Sequence, residues 1–175
     1  MVMSSKLSAA PTCACTVAAI VSKIAAAEVS RAAPGPLAVR VAAVNDAQRF
    51  ARGEAVQLTV RPSRDAFVYC FHQDENHKIA RFFPNRWQRD SRVASSAGVQ
   101  LPGPMRFEIV MNPRGVVETV SCFATERDVL AQLPAGLNGG DFTPLAAASL
   151  DQVRSAFAKL TGGAMAHESF QMRPR

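Results

Sequence analysis

Most of the signatures that make a function easy to read are missing from this chain of 175 residues. There is no G-x-S-x-G elbow, no phosphate-cradling P-loop and no G-x-G-x-x-G turn, and Gly139-Gly140 lacks the surrounding pattern of any of them. Three histidines are too few and too poorly spaced for a zinc signature, and the C-x-C of Cys13 and Cys15 is weak evidence for metal. No apolar run is long and uninterrupted enough to span a bilayer. No lysine–arginine tail and no zinc-finger, RNA-recognition or helix-turn-helix pattern occurs, so nucleic acid is not an expected partner. Paired carboxylates for acid–base work are not discernible. These absences leave the expectation of a non-enzymatic chain with no cofactor and no metal.

What is present suits a globular fold. Hydrophobic residues make up 48% and charged residues 19%, enough apolar mass for a core. Ten of the twelve aromatics are phenylalanine, with one tryptophan and one tyrosine, a set suited to packing. Net charge is +6, which alone is compatible with nucleic acid, with an anionic membrane or an anionic cell-wall or envelope polymer, or with an acidic partner protein.

The first 34 residues read as a helical segment, a weak secretory signal or a linker. Pro11 and Lys23 interrupt the apolar stretch that a signal needs. Thr16 as N-cap, with Val17, Ile20, Val21, Ile24 and Val29 at near-helical spacing, predicts a short helix over Thr16–Arg31. Ala32–Pro36, "AAPGP", marks a boundary, and residues 35–175 form the main domain.

Alternation of period two then takes over. Leu37-Val39-Val41 and Val56-Leu58-Val60 predict strands, with Phe50 between them as a core anchor. Ala66–His72, "AFVYCFH", is continuously apolar, as in a strand buried on both faces. Gln73–His77 is a polar hairpin turn, and Lys78–Phe83 returns. Phe107, Ile109 and Met111 alternate before a Pro113-Arg114-Gly115 turn, and "VVETVSCFAT" returns, so a second hairpin is expected there. Asp128–Leu133 and Ser149–Leu160 read as helices, the latter capped by Ser149 and stopped by Gly162-Gly163. Ala164–Met172 alternates as an edge strand. The expected fold is mostly β, an antiparallel Ig-like β-sandwich with an N-terminal helix and C-terminal helical decoration.

Three segments carry a family likeness: the strand entry Ser63-Arg64-Asp65-Ala66-Phe67-Val68-Tyr69, the "FFPN" turn Phe82–Asn85, and the "LPG" step Leu101–Gly103 with the strand–turn–strand after it. From Gly53 to Thr125 the chain resembles an uncharacterised bacterial domain of unknown function, found as an accessory module of Ser/Thr kinases, caspase-like peptidases and curli-export-type envelope proteins. The likeness departs at the Gln73–His77 turn, which is longer and more polar than the family's. It implies a recognition or accessory module of the periplasm or cell envelope, linked to secretion. A cytoplasmic location stays open.

The stretch "KIARFFPNRWQRDSR", Lys78 to Arg92, concentrates chemistry. Arg81, Arg86, Arg89 and Arg92 surround the only tryptophan, Trp87. Arginine and tryptophan are enriched at binding hot spots, and the guanidinium fork suits carboxylates and phosphates. These five residues are the candidate partner-binding face, with Trp87 either a lid over the fold or an exposed anchor. Pro84 ends strand pairing and Asn85 holds the turn. On Lys78–Phe83 strict alternation sets Ile79, Arg81 and Phe83 on one face, opposite Phe82. Cys70 and Cys122 are either small buried hydrophobes or a disulfide crossing between sheets, the latter implying an oxidising compartment. His72 and His77, beside Asp74 and Glu75, sit where metal ligands would splay. A second expectation is a structural subunit that packs a sheet edge or its N-terminal helix into a larger complex.

Overall fold

The computed structural model describes residues 35–146 and 149–175. The expected helix over Thr16–Arg31, and Cys13 and Cys15, lie outside the described residues.

The described chain is mostly β, with two sheets and one α-helix. In chain order the strands are β1 (Val39–Ala43), β2 (Arg49–Phe50), β3 (Leu58–Pro62), β4 (Ala66–Gln73), β5 (Ile79–Phe83), β6 (Arg92–Val93), β7 (Val99–Leu101), β8 (Glu118–Thr125) and β9 (Met165–Pro174). The helix α1 spans Leu150–Thr161. The smaller sheet is antiparallel, ordered β1-β3-β7. The larger runs β2-β9-β8-β4-β5, with β6 also on β4, and is mixed because β2 lies parallel to the end of β9.

Period-two side-chain alternation explains how these layers stack. Val39 and Val41 of β1, Leu58 and Val60 of β3, Val68 and Cys70 of β4, and Val120 and Cys122 of β8 share one buried cluster, so the two sheets close on a common core. The alternate residues of the larger sheet, Tyr69, Phe71 and Phe123, join Val153 and Phe157 of α1 in a second cluster. Phe123 and Phe157 stack with centroids 4.8 Å apart. The strand β4 is therefore covered on both faces, which is why its sequence is almost unbroken in apolar residues.

Local chemistry sets the ends of α1. The Ser149 hydroxyl accepts from the Gln152 N–H at 3.2 Å, Asp151 lies in the first turn, and Gly162 takes the left-handed conformation (φ 61°) that ends the helix. The LPG step also depends on its glycine. Gly103 has φ +55°, and a Cβ there would come 2.7 Å from the Gln100 carbonyl oxygen.

Three sequence expectations are corrected. Asp128–Leu133 holds only a one-turn 3-10 helix, Leu130–Gln132, because Leu133 is extended (ψ 144°) ahead of Pro134, which disfavours helical backbone in the residue before it. The stretch around Phe107, Ile109 and Met111 forms no strand; its regular pairing is a single bridge, Ala55 to Val110. The strand β8 consequently has no hairpin partner there and pairs with β4 and β9. Strict alternation also fails on β5. Cys70 faces Phe83 while Phe71 faces Arg81, so Phe82 is an extra residue and both phenylalanines enter the core between the sheets.

Cys70 and Cys122 are bonded, S–S 2.07 Å. They are register partners on β4 and β8, so the bridge links neighbouring strands of one sheet and does not cross between sheets.

Candidate functional site

The arginine–tryptophan loop is an interruption in an edge strand. Both β5 and β6 pair with the same side of β4, at Cys70–Gln73 and at Ala66–Phe67 respectively. Between them residues 84–91 leave the sheet and return, and the Ser91 carbonyl rejoins by accepting the Val68 N–H at 2.8 Å. The loop is thus held at both ends by one central strand.

Asn85 organises its entry. This buried side chain donates to the Phe82 carbonyl at 2.7 Å and to the Met105 sulfur at 3.1 Å. Its Oδ1 accepts from the Trp87 and Gln88 N–H groups at 2.9 and 3.0 Å, an Asx-type turn. Pro84 is buried beside it, after a cis peptide bond.

Arg81 supports the loop from below. It is only 8% exposed and donates to the carbonyls of Pro84 and Gly139, while its Nε has no partner. Burial pushes its guanidinium below the ordinary arginine range, and Asp141 partly opposes this.

Asp141 is the second organiser. Its Oδ2 accepts from the Arg86 backbone N–H at 3.0 Å and from Arg86 Nε at 2.9 Å. The Arg86 side-chain bond holds the Asp141 carboxyl below the usual carboxylate range, burial opposing and the Arg86 backbone bond and charge reinforcing it. Arg86 also lies over the rings of Trp87 and Phe142, 5.6 and 5.9 Å from their centroids. Trp87, 41% exposed, stacks on Phe107 at 5.9 Å and meets Phe142 edge-on at 5.6 Å. It is both packed and accessible, one face on the fold and one to solvent.

The structure therefore divides the five candidate residues. Arg81, Arg86 and Arg89 line a shallow depression of about 330 Å³ together with Asp141. Trp87 stands next to it on an aromatic platform completed by Phe107 and Phe142. Beyond that platform, Phe82, Phe107, Ile109 and Val120 line an apolar recess of about 390 Å³, with His72 at its edge. Arg92 is apart from both: it pairs with Phe67 in the sheet and its N–H is taken by Asp90 at 2.8 Å.

Sequence reasoning missed Asp141, Phe107 and Phe142. Asp141 lies 55 residues from Arg86 in an irregular segment with no periodic signal; the Gly139-Gly140 turn before it was the one mark of a sharp approach.

At the hairpin tip, Asp74 Oδ1 accepts from the Asn76 and Lys78 N–H groups, both at 2.8 Å, closing the turn. His72 Nε2 meets Glu118 Oε2 at 3.0 Å, and Asn112 joins Glu118 to Glu75. Among the described residues no group of three or more His, Cys, Asp and Glu side chains is arranged to hold a metal ion. No described helix is long and apolar enough to cross a membrane.

Residues 49–128 match the family described as Domain of unknown function (DUF4384). No curated protein and no solved structure matches the chain.

Proposed function

We propose that this protein is a non-enzymatic recognition module of the bacterial cell envelope or of a secretion-linked assembly, built on an Ig-like sandwich frame and binding a protein or an anionic envelope polymer. The observation that carries this reading is the pairing of a half-exposed Trp87, rigid on Phe107, with Arg86 fixed beside it by Asp141. A preorganised aromatic next to a positioned guanidinium binds without first being ordered, so little side-chain entropy opposes association. Arg89 adds an exposed cation at the rim of the depression. The Cys70–Cys122 disulfide supports an oxidising compartment such as the periplasm.

The test is capture of partners from the host envelope fraction by the tagged chain and by a Trp87→Ala/Arg89→Ala variant whose unfolding midpoint is unchanged. A partner held by the parent and lost by the variant supports this face. A partner held equally by both moves recognition elsewhere on the molecule.

A second reading, a structural subunit of a larger complex, is favoured by the outer side of β9, where β2 pairs only with Arg173 and Pro174.

A further inference from the structure

The aromatic platform around Trp87 is also a partition. On one side of it lies the arginine depression. On the other lies the apolar recess of about 390 Å³, and Phe107 and Phe142 are walls of that recess as well as partners of Trp87. Its floor includes one cross-strand row of the larger sheet, in which His72 of β4 stands between its register partners Ala80 of β5 and Val120 of β8. Ala80 contributes only a methyl group to this floor, which leaves room above it. Phe142, 36% exposed, and Trp87 continue the apolar surface outward from the recess. A concave apolar site bordered by exposed aromatics suits one large side chain of a ligand.

The depression is short of negative charge. The guanidiniums of Arg81, Arg86 and Arg89 line it with a single carboxylate, Asp141, which Arg86 already bonds. Arg81 is nearly buried and its Nε lacks a partner. Among the described residues Arg89 forms no ion pair and no hydrogen bond. A further anion is therefore complementary to this end of the face. The recess carries the opposite sign in exposed Glu108, which turns an acidic group away from that end. The two ends are close together. The Arg86 guanidinium lies 5.9 Å from the Phe142 ring, and that ring lies 5.0 Å from Phe107. Two residues of extended chain cover about 6.6 Å and three about 10 Å.

We propose, resting on the recognition reading of the Trp87 face, that this face takes one extended segment of a protein partner, in which a large apolar side chain enters the recess and an Asp or Glu two or three residues away meets Arg86 and Arg89. The apolar anchor supplies most of the affinity, and the arginines set the direction and the spacing. A polymer of charged sugars offers the anion but no large apolar side group. An anionic lipid offers both chemistries, but its acyl chain continues past a recess that the sheet closes from below. A second copy of this chain is disfavoured because each copy carries a net charge of +6.

The experiment titrates the full chain with short fluorescent peptides of Gly and Ser that hold one Phe two or three residues from one Glu, in either order. Exchanging the Phe for Ala should weaken binding about tenfold. Exchanging the Glu for Lys should weaken it by a similar factor, about tenfold. Arg89→Glu, altered at an exposed side chain, should reverse the preference for Glu over Lys. Ala80→Leu, which fills the floor of the recess, should remove the preference for Phe over Ala and keep that for Glu over Lys. Should Ala80→Leu fail to fold, the Phe and Ala peptides on the parent chain still decide the recess. Equal affinity for Phe and Ala peptides, equal affinity for Glu and Lys peptides, or no binding of any peptide overturns the proposal. So do anionic phospholipid vesicles that bind the parent more tightly than the peptides do and lose that binding with Ala80→Leu, which would give the recess to a lipid. Capture from the envelope fraction judges the face separately: a partner lost there by Trp87→Ala/Arg89→Ala while no peptide binds keeps the face and removes the apolar–acidic segment as its ligand.

Discussion

Arg81 carries the same kind of charge as its neighbours in the loop, yet its position makes it a strut: nearly all of its guanidinium is inside, and its donors serve the carbonyls of Pro84 and Gly139. Replacing it by methionine takes the donor from the buried Pro84 carbonyl and from the half-buried Gly139 carbonyl, at a cost of about 1–3 kcal/mol. Urea unfolding of Arg81→Met should show that loss, and an unchanged midpoint would count against the strut. Because Trp87 is the only tryptophan, its emission reports the loop alone. Asp141 has a depressed pKa, so its hold on Arg86 is present above the ordinary carboxylate range near pH 4 and is lost as pH falls through its own lower value. Trp87 emission should stay constant from neutral pH to about pH 4 and change below it, and Asp141→Asn should show the altered emission at all pH values. The only tyrosine offers the mirror case. Tyr69 donates to Asp128 at 2.7 Å and accepts from the Val129 N–H at 3.0 Å, and burial, first among the causes, pushes its pKa up to about 12. The folded pKa lies above the unfolded value near 10, so the stability tied to the neutral phenol is complete below about pH 10 and disappears as pH rises through about 12. Phenolate absorbance should therefore appear late, together with unfolding; a simple titration near pH 10 would contradict this burial.

At the scale of elements, β4 and β8 are joined three ways: by ladder hydrogen bonds, by packing on both faces, and by the Cys70–Cys122 bridge. Closing a loop across a sequence separation of 52 restricts the unfolded chain, and the double variant Cys70→Ala/Cys122→Ala should lose about 4 kcal/mol by the chain-entropy argument. Native mass before and after alkylation without reductant reads whether the pair is bonded in material from the host. Ser149→Ala should cost α1 about 1 kcal/mol through loss of its cap bond to Gln152. The elements also show what a sequence can convey. Continuous apolar β4, the hairpin to β5 and the capped α1 are written in local patterns, and the structure has all three. Phe107, Ile109 and Met111 carry the same alternation as a strand, but alternation names only which side chains turn inward. Whether a neighbour is present to pair depends on distant chain, and here the segment's main chain bonds the short stretch Gly53–Val56, which forms no strand.

At the scale of the molecule, the candidate site was legible in part for a related reason. The tryptophan and its arginines lie close together in sequence, so their concentration is visible; Asp141, Phe107 and Phe142, which fix their geometry, come from other parts of the chain. The proposed recognition face, with Arg86 and Arg89 exposed, also has a salt signature. Association with an acidic partner should slow as ionic strength rises and the screening length falls to about 10 Å at 0.1 M, and a salt-independent on-rate would argue that apolar contact at Trp87 dominates.

The excursion between β5 and β6 has one more consequence. Its two stems grip the same strand, and the solvent-facing stretch from Arg86 to Asp90 touches neither stem's ladder. Chain can therefore be lengthened, shortened or rewritten there while β4 keeps its register, as a jeweller changes a stone without recasting the ring. The frame behaves as a socket, and under the proposed recognition role specificity is exchangeable independently of the fold that displays it.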